Sequence, residues 1–374
     1  MADQMSACPT VMLCGYYGEK NLGDDALLEV LLEDLPEQWR PLITAHDPGS
    51  IQDLAPGSDV VNRRSLAKTI QALSSVQVVV LGGGSLLQDS TSFRSLLYYL
   101  ILIAMARLQG RTVVLWGQGL GPLRSRFSRW LVASVLRSVQ RISWRDPESL
   151  ALAQRWQLCV PMRMAPDPVW QIPMASWAGG EAVVLCWRPT ALLDQHGWLQ
   201  LIRALEELLA EVDAPLHWLA FHRHQDAPLL SSLERQSLIG SGLKSRSRTV
   251  VVHSVAEAMN QFSRARLVLP MRLHALILAA LSGAPSAALS YDPKVASAAR
   301  MAGLPCADLR NLPSASALAE QWKSVLDRPA SASAINKIRE QAGAHGKMLR
   351  EALAAVTEES SNRTISRSGD RSEH

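Results

Sequence analysis

The sequence predicts an α/β fold made of two doubly wound domains, and three observations support this prediction. Its 374 residues exceed the length at which one hydrophobic core usually stops growing, so two domains are expected. Short apolar runs alternate with helical patterns, which is typical of parallel sheets buried on both faces. The alternation is interrupted over residues 161–180, where prolines cluster, and then begins again. We therefore place the domain boundary near Ala175.

The first half contains five apolar runs of strand length with helical patterns between them. This alternation favours a parallel sheet with helices on both faces. It predicts an N-terminal domain over residues 1–174. The predicted strands are residues 11–14, 41–44, 76–81, 112–116 and 142–144, and the clearest helices are residues 26–35 and 123–139.

The second half repeats the same pattern and predicts a second Rossmann-like domain over residues 175–357. Two such domains facing one another across a cleft form the architecture called GT-B, in which ligands bind at the carboxyl ends of strands. Residues 358–374 are almost wholly polar and are predicted to be a disordered tail. The predicted strands are residues 182–186, 216–221, 249–252 and 267–269, followed or preceded by helices over residues 198–212, 255–263 and 274–282.

Composition excludes several classes of protein. The 38 lysines and arginines against 34 acidic residues leave a formal charge of +4, spread along the chain, which argues against a nucleic-acid partner. The five cysteines contain no C-x-x-C pair, so we expect buried thiols in a reducing compartment and no structural zinc site. The first ten residues lack the apolar core of a secretion signal, so a cytoplasmic location is expected.

The longest apolar run, residues 96–106, is roughly half the ~20 residues that a membrane-spanning helix needs. We predict a buried helix here. The alternative is a helix that lies partly in a membrane interface.

A glycine-rich segment, residues 15–26, follows the first strand and opens the first helix. Backbone N–H groups in such a turn can approach an anion. The alternative is that its polar residues only cap the helix. The substrate-binding candidates in this segment are Gly18, Asn21, Gly23, Asp24 and Asp25.

Two further glycine-rich segments, residues 82–89 and 117–122, follow two other predicted strands of the same sheet. We predict that all three segments are strand-to-helix turns that form a ligand-facing rim. The alternative is that glycine serves only the tight geometry of such turns. The candidates here are Gly83, Gly84, Ser85 and Gln118.

Arg145 stands at the carboxyl end of a predicted strand, just before a helix whose start is signalled by Asp146 and Pro147. A guanidinium group facing the cleft would bind a carboxylate or phosphate bidentately. The alternative is a structural pair with Asp146 or a neighbouring loop. Asp167, in a turn between two prolines, is a further candidate.

Arg272 and His274 lie between a strand and an apolar helix, which indicates an anion site beside a proton donor. The alternative for His274 is a cap or packing role. Lys294 follows a later strand and is predicted to point at the cleft, the alternative being a solvated surface lysine. His222 and His224 have metal-like spacing without further ligands, so we predict that they line the cleft and that no metal is bound.

Taken in order, these motifs resemble the polysaccharide pyruvyl transferase family, in particular its bacterial cell-wall branch, over about residues 12–294. The resemblance implies a metal-independent enzyme without a cofactor. It would transfer pyruvate from phosphoenolpyruvate onto two hydroxyls of a sugar as a cyclic ketal, releasing phosphate. A lipid-linked acceptor would place the enzyme at the inner face of the plasma membrane, with peripheral membrane contact. The family's functional residues match Arg145, His274 and Lys294, with Arg272 beside them.

The chemistry accounts for these residue types. Phosphoenolpyruvate carries a phosphate and a carboxylate, which Arg145, Arg272 and Lys294 would hold. His274 is the predicted general acid that protonates the methylene carbon. Asp24 or Asp25 would orient or deprotonate the acceptor hydroxyl.

The C-terminal domain is the predicted donor side and the N-terminal domain the acceptor side. Glu19 and Lys20 replace the smaller or aromatic pair often found in the first glycine loop, which leaves the acceptor open. Two other functions remain under the same fold. One is a nucleotide-sugar glycosyltransferase, and the other is a non-catalytic anion- or glycan-binding protein.

Overall fold

The computed structural model describes residues 8–90 and 92–369 of the chain. The expectation that the amino terminus is not a secretion signal concerns mostly residues 1–7, which lie outside this part. None of the helices in the described ranges is both long enough and apolar enough to cross a lipid bilayer.

The chain forms two compact units, and each takes residues from separate parts of the sequence. The main division falls after Pro168, close to the boundary predicted near Ala175. Two segments differ from the predicted division, because residues 20–26 belong to the second unit and residues 341–374 to the first. Unit 1 consists of Met1–Glu19, Leu27–Pro168 and Gln341–His374, and unit 2 of Lys20–Ala26 and Val169–Glu340.

Unit 1 contains one eight-stranded parallel sheet, as the apolar runs predict. Its strands are β1 (Thr10–Tyr17), β2 (Arg40–Ala45), β3 (Asp59–Asn62), β4 (Val78–Leu81), β5 (Gly84–Leu87), β6 (Thr112–Leu120), β7 (Arg141–Trp144) and β8 (Met162–Met164). They lie in the order β3-β2-β1-β4-β6-β7-β8, with β5 paired to β6. The central strands are buried on both faces because helices cover them.

Six helices connect these strands. They are α1 (Leu22–Glu33), α2 (Pro48–Leu54), α3 (Leu66–Ala72), α4 (Phe93–Leu108), α5 (Arg126–Leu136) and α6 (Pro147–Arg155). Side-chain caps start several of them: Ser92 begins α4, Ser125 begins α5 and Asp146 begins α6. Neighbouring helices α3, α4 and α5 pack side by side.

The second and third glycine-rich segments are not strand-to-helix turns, which corrects the prediction. Residues 84–87 form β5, and Gly117–Leu120 lie within β6. Both segments extend the sheet because Gly84 pairs with Gln118 and Leu87 with Leu120. The buried Gln118 amide also donates to the carbonyl oxygens of Leu81 at 3.2 Å and Gly82 at 2.5 Å, which joins β6 to the end of β4.

Unit 2 repeats the plan on a smaller scale. Its strands are β9 (Ala182–Cys186), β10 (Leu216–Ala220), β11 (Ser247–Val251), β12 (Ala265–Pro270), β13 (Ala288–Ser290) and β14 (Cys306–Asp308). Four of them form a parallel sheet in the order β11-β10-β9-β12, and β13 pairs with β14. The core beneath includes Trp187, whose ring centroid lies 6.2 Å from that of Trp198 and 5.5 Å from that of Trp218.

The helices of unit 2 follow the predicted alternation. They are α7 (Gln195–Glu211), α8 (Arg223–Asp226), α9 (Leu229–Arg235), α10 (Ser241–Arg246), α11 (Val255–Ser263), α12 (Leu273–Leu281), α13 (Pro293–Met301) and α14 (Ala315–Lys323). The connections that precede α12 and α13 leave the carboxyl ends of β12 and β13. Residues Arg272, His274 and Lys294 all lie at these points.

The chain ends with α15 (Ala332–Ala342) and α16 (Ala344–Gly369). Helix α16 packs on β6, β7 and β8 of unit 1, where His345, Leu349 and Leu353 are fully buried. Residues 358–369 continue this helix, which differs from the predicted disordered tail. The rest of that tail, residues 370–374, lies outside the described residues.

The five cysteines are free thiols, but only two of them are buried as predicted. Cys14 and Cys186 lie in the sheet cores, and burial raises the pKa of Cys14 to about 12. Cys8 and Cys159 are exposed and Cys306 is half-buried, which corrects the expectation for these three. Cys8 lies before β1, Cys159 lies in the connection between α6 and β8, and Cys306 begins the short strand β14, so none of them is within a sheet core.

Candidate active site

Residues 20–26, the second part of the first glycine-rich segment, pack against the end of β10 in unit 2. The Leu22 N–H donates to the Phe221 carbonyl at 3.2 Å, and the Arg223 N–H donates to the Lys20 carbonyl at 3.1 Å. Between these bonds, Asn21 forms an antiparallel bridge with His222. The segment is therefore held in unit 2 by backbone hydrogen bonds.

Gly23 lies directly against the ring of His274. A Cβ atom at residue 23 would be 2.1 Å from His274 Nδ1, far inside van der Waals contact. Only glycine leaves room for the imidazole ring in this position. Sequence analysis selected both residues without placing them together, and the structure brings them into contact.

Asn21 and Asp24 complete this segment. The Asn21 amide donates to Asp24 Oδ2, and Asn21 Oδ1 accepts from the Gly23 N–H at 3.3 Å. The backbone N–H groups of Asp24 and Asp25 donate to the Asn21 carbonyl at 3.0 and 3.2 Å. Asn21 thus makes the helix-starting contacts of the capping alternative, and it also fixes the Asp24 carboxylate at the start of α1.

His274 lies in the first turn of α12. Arg272 occupies the N-cap position in an extended conformation and makes no side-chain capping bond. By contrast, Ser254 caps α11 and Asp292 caps α13 with side-chain oxygens. The N–H groups at the start of a helix, together with the helix dipole, favour negative charge there.

Arg272 is buried and forms a bidentate ion pair with Asp226. Its Nε donates to Asp226 Oδ2 at 2.8 Å and its Nη2 to Asp226 Oδ1 at 2.5 Å. Nη2 also donates to Gln225 Oε1 at 3.0 Å. These bonds use Nε and Nη2 and leave Nη1 directed elsewhere. Sequence analysis missed Asp226, since a carboxylate 46 residues earlier in the chain gives no local signal.

Asp226 also fixes His222, because its Oδ2 accepts from the His222 N–H at 2.7 Å. Burial of His222 and the nearby positive charge of Arg272 lower the pKa of its imidazole below the usual value. The lowered pKa favours the neutral form of the His222 imidazole. His224 lies on α8, and among the described residues no group of three or more potential ligands is placed to hold a metal ion.

Lys294 is half-buried in the first turn of α13, where its backbone N–H donates to Asp292 Oδ1 at 2.9 Å. Tyr291, three residues before Lys294, contacts a second cation, Arg188, which sequence analysis missed. The Arg188 guanidinium lies over the Tyr291 ring at 4.8 Å from its centroid, and Nη1 donates to the Tyr291 hydroxyl at 3.1 Å. Arg188 follows β9 as Arg145 follows β7, and this repeated position was an available signal.

Arg145 belongs to a separate cluster in unit 1. Its Nη1 donates to Asp167 Oδ2 at 2.9 Å and its Nη2 to Ser85 Oγ at 3.0 Å. Asp146 instead caps α6 by accepting from the Ser149 N–H at 2.7 Å. The structural alternative for Arg145 therefore involves the proline-flanked turn and not Asp146. The pair is almost fully buried, with 7% and 6% of the side chains exposed.

His345 of α16 supports this cluster and was not predicted. Its Nε2 donates to the Pro166 carbonyl at 2.8 Å, next to Asp167. Complete burial lowers the pKa of His345 to about 4, against smaller opposing effects of the Pro166 bond and the Asp167 charge. A neutral imidazole therefore fixes the turn that presents Asp167 to Arg145.

The other predicted residues of unit 1 have packing roles. A Cβ atom on Gly83 would meet the Leu27 side chain at 2.5 Å, so glycine lets α1 approach the sheet. Gly18 adopts φ = 73°, and a Cβ there would lie 2.7 Å from the Asp47 nitrogen. Glu19 accounts for one departure in the glycine loop, since it forms ion pairs with Arg63 and Arg64.

The fold and sequence of the chain were compared with those of known proteins. Among solved structures, UDP-GlcNAc 2-epimerase from Methanocaldococcus jannaschii is similar at a TM-score of 0.62 and 12% identity, covering 92% of this chain and 99% of that one. Anabaena Alr3699/HepE, in complex with UDP and glucose, gives 0.55 and 12%, covering 96% and 100%. MurG from Acinetobacter baumannii gives 0.50 and 12%, covering 92% and 99%. Comparison with curated protein sequences finds no match.

Two Rossmann-like units with parallel sheets give this chain a GT-B-type fold, the fold of these similar glycosyltransferases and epimerases. At such low identity the structural similarity establishes the fold alone. The sequence profile described as Polysaccharide pyruvyl transferase matches residues 21–293. The chain belongs to the polysaccharide pyruvyl transferase family and is therefore a transferase.

Proposed function

We propose that the protein transfers pyruvate from phosphoenolpyruvate onto two hydroxyls of a sugar, forming a cyclic ketal and releasing phosphate. The proposed acceptor is a lipid-linked precursor of a cell-surface polysaccharide, and the proposed location is the inner face of the plasma membrane. Neither a cofactor nor a metal ion is part of the proposed reaction. Family membership supports the transfer to a polysaccharide sugar.

The contact between Gly23 and His274 is the observation that carries the proposal. It fixes an imidazole in the first turn of α12, directly after Arg272 at the N-cap position. An anion bound at this helix end would lie beside an acid that can donate a proton. This combination suits phosphoenolpyruvate, which carries two anionic groups and reacts by protonation at carbon.

Three cations of unit 2 are the proposed donor ligands. Lys294 lies in the first turn of α13, Arg188 is held over Tyr291, and Arg272 keeps Nη1 outside its bonds with Asp226. Phosphate and carboxylate oxygens prefer such fixed cations. Arg145 remains a predicted donor ligand from unit 1, and its tight pair with Asp167 would also fix its orientation.

The proposed reaction begins when His274 protonates the methylene carbon of the donor. The neighbouring carbon becomes oxocarbenium-like, and one sugar hydroxyl adds to it with loss of its proton. The second hydroxyl then attacks the same carbon. The bond between that carbon and the bridging phosphate oxygen breaks, the ketal ring closes, and phosphate leaves with the proton of the second hydroxyl. Asp24, oriented by Asn21, is the proposed acceptor of a hydroxyl proton.

The test is release of phosphate from phosphoenolpyruvate in the presence and absence of acceptor sugars, with and without EDTA. We expect acceptor-dependent release that EDTA leaves unchanged. His274→Ala should lower kcat by roughly 10²–10⁴-fold, the range for loss of a general acid. His253→Ala is the matched control because His253 is an exposed histidine of the same unit. Undiminished activity of His274→Ala would reject His274 as the acid.

A second candidate is transfer from a nucleotide sugar. The observation in its favour is that GT-B-type structures similar to this chain contain UDP with glucose or UDP-GlcNAc. Thermal stabilisation by UDP- or GDP-sugars, together with none by phosphoenolpyruvate, would support this candidate and reject the first. The reverse result supports pyruvyl transfer.

A further inference from the structure

The outer face of α4 is apolar along its whole length. The buried side of this helix includes Leu96, Leu100 and Ile103, as predicted for the apolar run. Residues on the opposite side recur every three or four positions, which places them on one stripe of a helix about 24 Å long. This stripe consists of Phe93, Leu97, Ile101, Ala104 and Leu108, of which Phe93, Leu97 and Leu108 are exposed.

The neighbouring helix α5 has the same unusual character. Its inner side is formed by Ser128, Val132 and Leu136, which are buried. Its outer side presents Phe127 and Trp130, one turn apart, with 57% and 62% of their surface exposed. The two rings stack on each other with centroids 6.0 Å apart. Two large aromatic side chains are therefore directed at solvent from a helix that already has an apolar inner side.

The charge around these helices is of one sign. The sequence from Ser90 to Arg141 has eight arginines and no aspartate, glutamate or lysine. Arg94 lies beside the α4 stripe, and Arg124 and Arg126 begin α5, all with exposed side chains. The nearest carboxylate before this stretch, Asp89, is occupied by the N–H groups of Arg124 and Ser125.

We propose that the outer face of α4 and α5, the α4–α5 surface, docks on a membrane rich in anionic lipid. Exposed aromatic and aliphatic side chains enter the boundary between headgroups and acyl chains, and tryptophan favours this depth. Arginines at its edge bind lipid phosphates while their stems remain in the apolar layer.

The combination of features selects a lipid surface over other occupants. A protein partner or a second copy would need carboxylates opposite the exposed Arg94, Arg124 and Arg126, whereas an apolar protein contact alone would not require charges of a single sign. A nucleic acid would be met by arginines without an apolar stripe. The inference does not depend on the proposed reaction. It assigns the interfacial alternative for residues 96–106 to the outward stripe of that helix, while the buried side agrees with the predicted buried helix.

The experiment is co-sedimentation of the full chain with vesicles of pure phosphatidylcholine or of phosphatidylcholine with about 30% phosphatidylglycerol. The wild type should bind the anionic vesicles and should lose most of this binding in about 0.5 M salt, where the Debye length is short. The double variant Phe127→Ser/Trp130→Ser should bind at least about tenfold more weakly. Arg124→Gln/Arg126→Gln should weaken binding to a similar or greater extent, because each arginine near the surface contributes about one factor of five.

Leu192→Ser/Met301→Ser is the matched control, since both side chains are about as exposed as Leu97 but belong to unit 2. It should bind like the wild type. Equal sedimentation with neutral and anionic vesicles, no sedimentation at all, or wild-type binding by the α5 variants would overturn the proposal. Sedimentation velocity without lipid tests whether the surface instead binds a second copy of the chain. A wild-type oligomer that becomes monomeric in Phe127→Ser/Trp130→Ser would assign the surface to self-association and reject the membrane.

Discussion

At the scale of single residues, the polar groups of the candidate site are positioned by close contacts with neighbouring residues. Gly23 leaves room for the His274 ring, Asp226 binds Arg272 through two oxygens, and Tyr291 supports Arg188. In each pair, one residue carries the proposed chemistry and the other positions it. Substitution of the positioning residue should therefore change catalysis while the reacting group remains present.

Gly23→Ala should lower kcat of the proposed reaction by about 10²-fold, because the new methyl group displaces His274 by about 1 Å or more. The melting temperature should change little, since the ring can move. Steady-state kinetics and a thermal melt measure both effects. Gly242→Ala is the control, because a Cβ at that helical glycine meets nothing within 4 Å. Wild-type kcat in Gly23→Ala would show that the contact does not position His274.

At the scale of secondary structure, the local sequence determines which segments are helices or strands, but packing determines their use. Helix α4 is apolar on all sides, so its periodicity could not reveal which side faces the sheet. Residues 82–89 look like a turn because of their glycines, yet β5 forms there because β6 offers unpaired backbone groups. Helix α16 belongs to unit 1, but in the sequence it follows the main segment of unit 2, so no local pattern could assign it to unit 1.

Deletion of residues 344–374 should unfold unit 1, because α16 buries Met348, Leu349 and Leu353 against β6, β7 and β8. Burial of three such side chains contributes roughly 5–9 kcal/mol, which is comparable to the stability of a typical domain. Limited proteolysis and circular dichroism of the truncated chain would detect the loss.

Deletion of residues 358–374 alone is the matched control. It leaves every one of these buried side chains in place and should change the melting temperature little. A fully folded, protease-resistant protein after the larger deletion would contradict the structural role of α16.

At the scale of the whole molecule, burial links stability to pH. The folded-state pKa of His345 is lowered to about 4 by burial, below the ordinary value near 6.5. The unfolded chain therefore binds this proton first as pH falls, so the contribution to stability is fully present above pH 6.5 and is lost between 6.5 and 4. Glu29 acts in the opposite direction, because burial and the charge of Glu33 raise its pKa to about 7.

Because these effects overlap, each pH requires a comparison of wild type with His345→Gln, which keeps a donor for the Pro166 carbonyl and does not titrate. Between pH 6.5 and 4 the wild type should lose roughly 3 kcal/mol more than the variant. Urea denaturation at a series of pH values measures the difference, with the exposed His196→Gln as control. Parallel pH curves for wild type and His345→Gln would contradict this assignment.

The sequence by itself determined the α/β class, the parallel sheets and the family. Runs of buried strand and helical periodicity are local properties, and the motifs keep their order whatever the rest of the chain does. It also selected His274, Arg145, Arg272 and Lys294 from residue chemistry and position after strands.

Only the tertiary structure decided the neighbours of these residues. It placed Gly23 on His274, gave Arg272 to Asp226 and Arg145 to Asp167, and turned one side of α4 outward. The physical reason is that such contacts join residues tens to hundreds of positions apart. Chain topology brings them together, and neither periodicity nor composition contains that information.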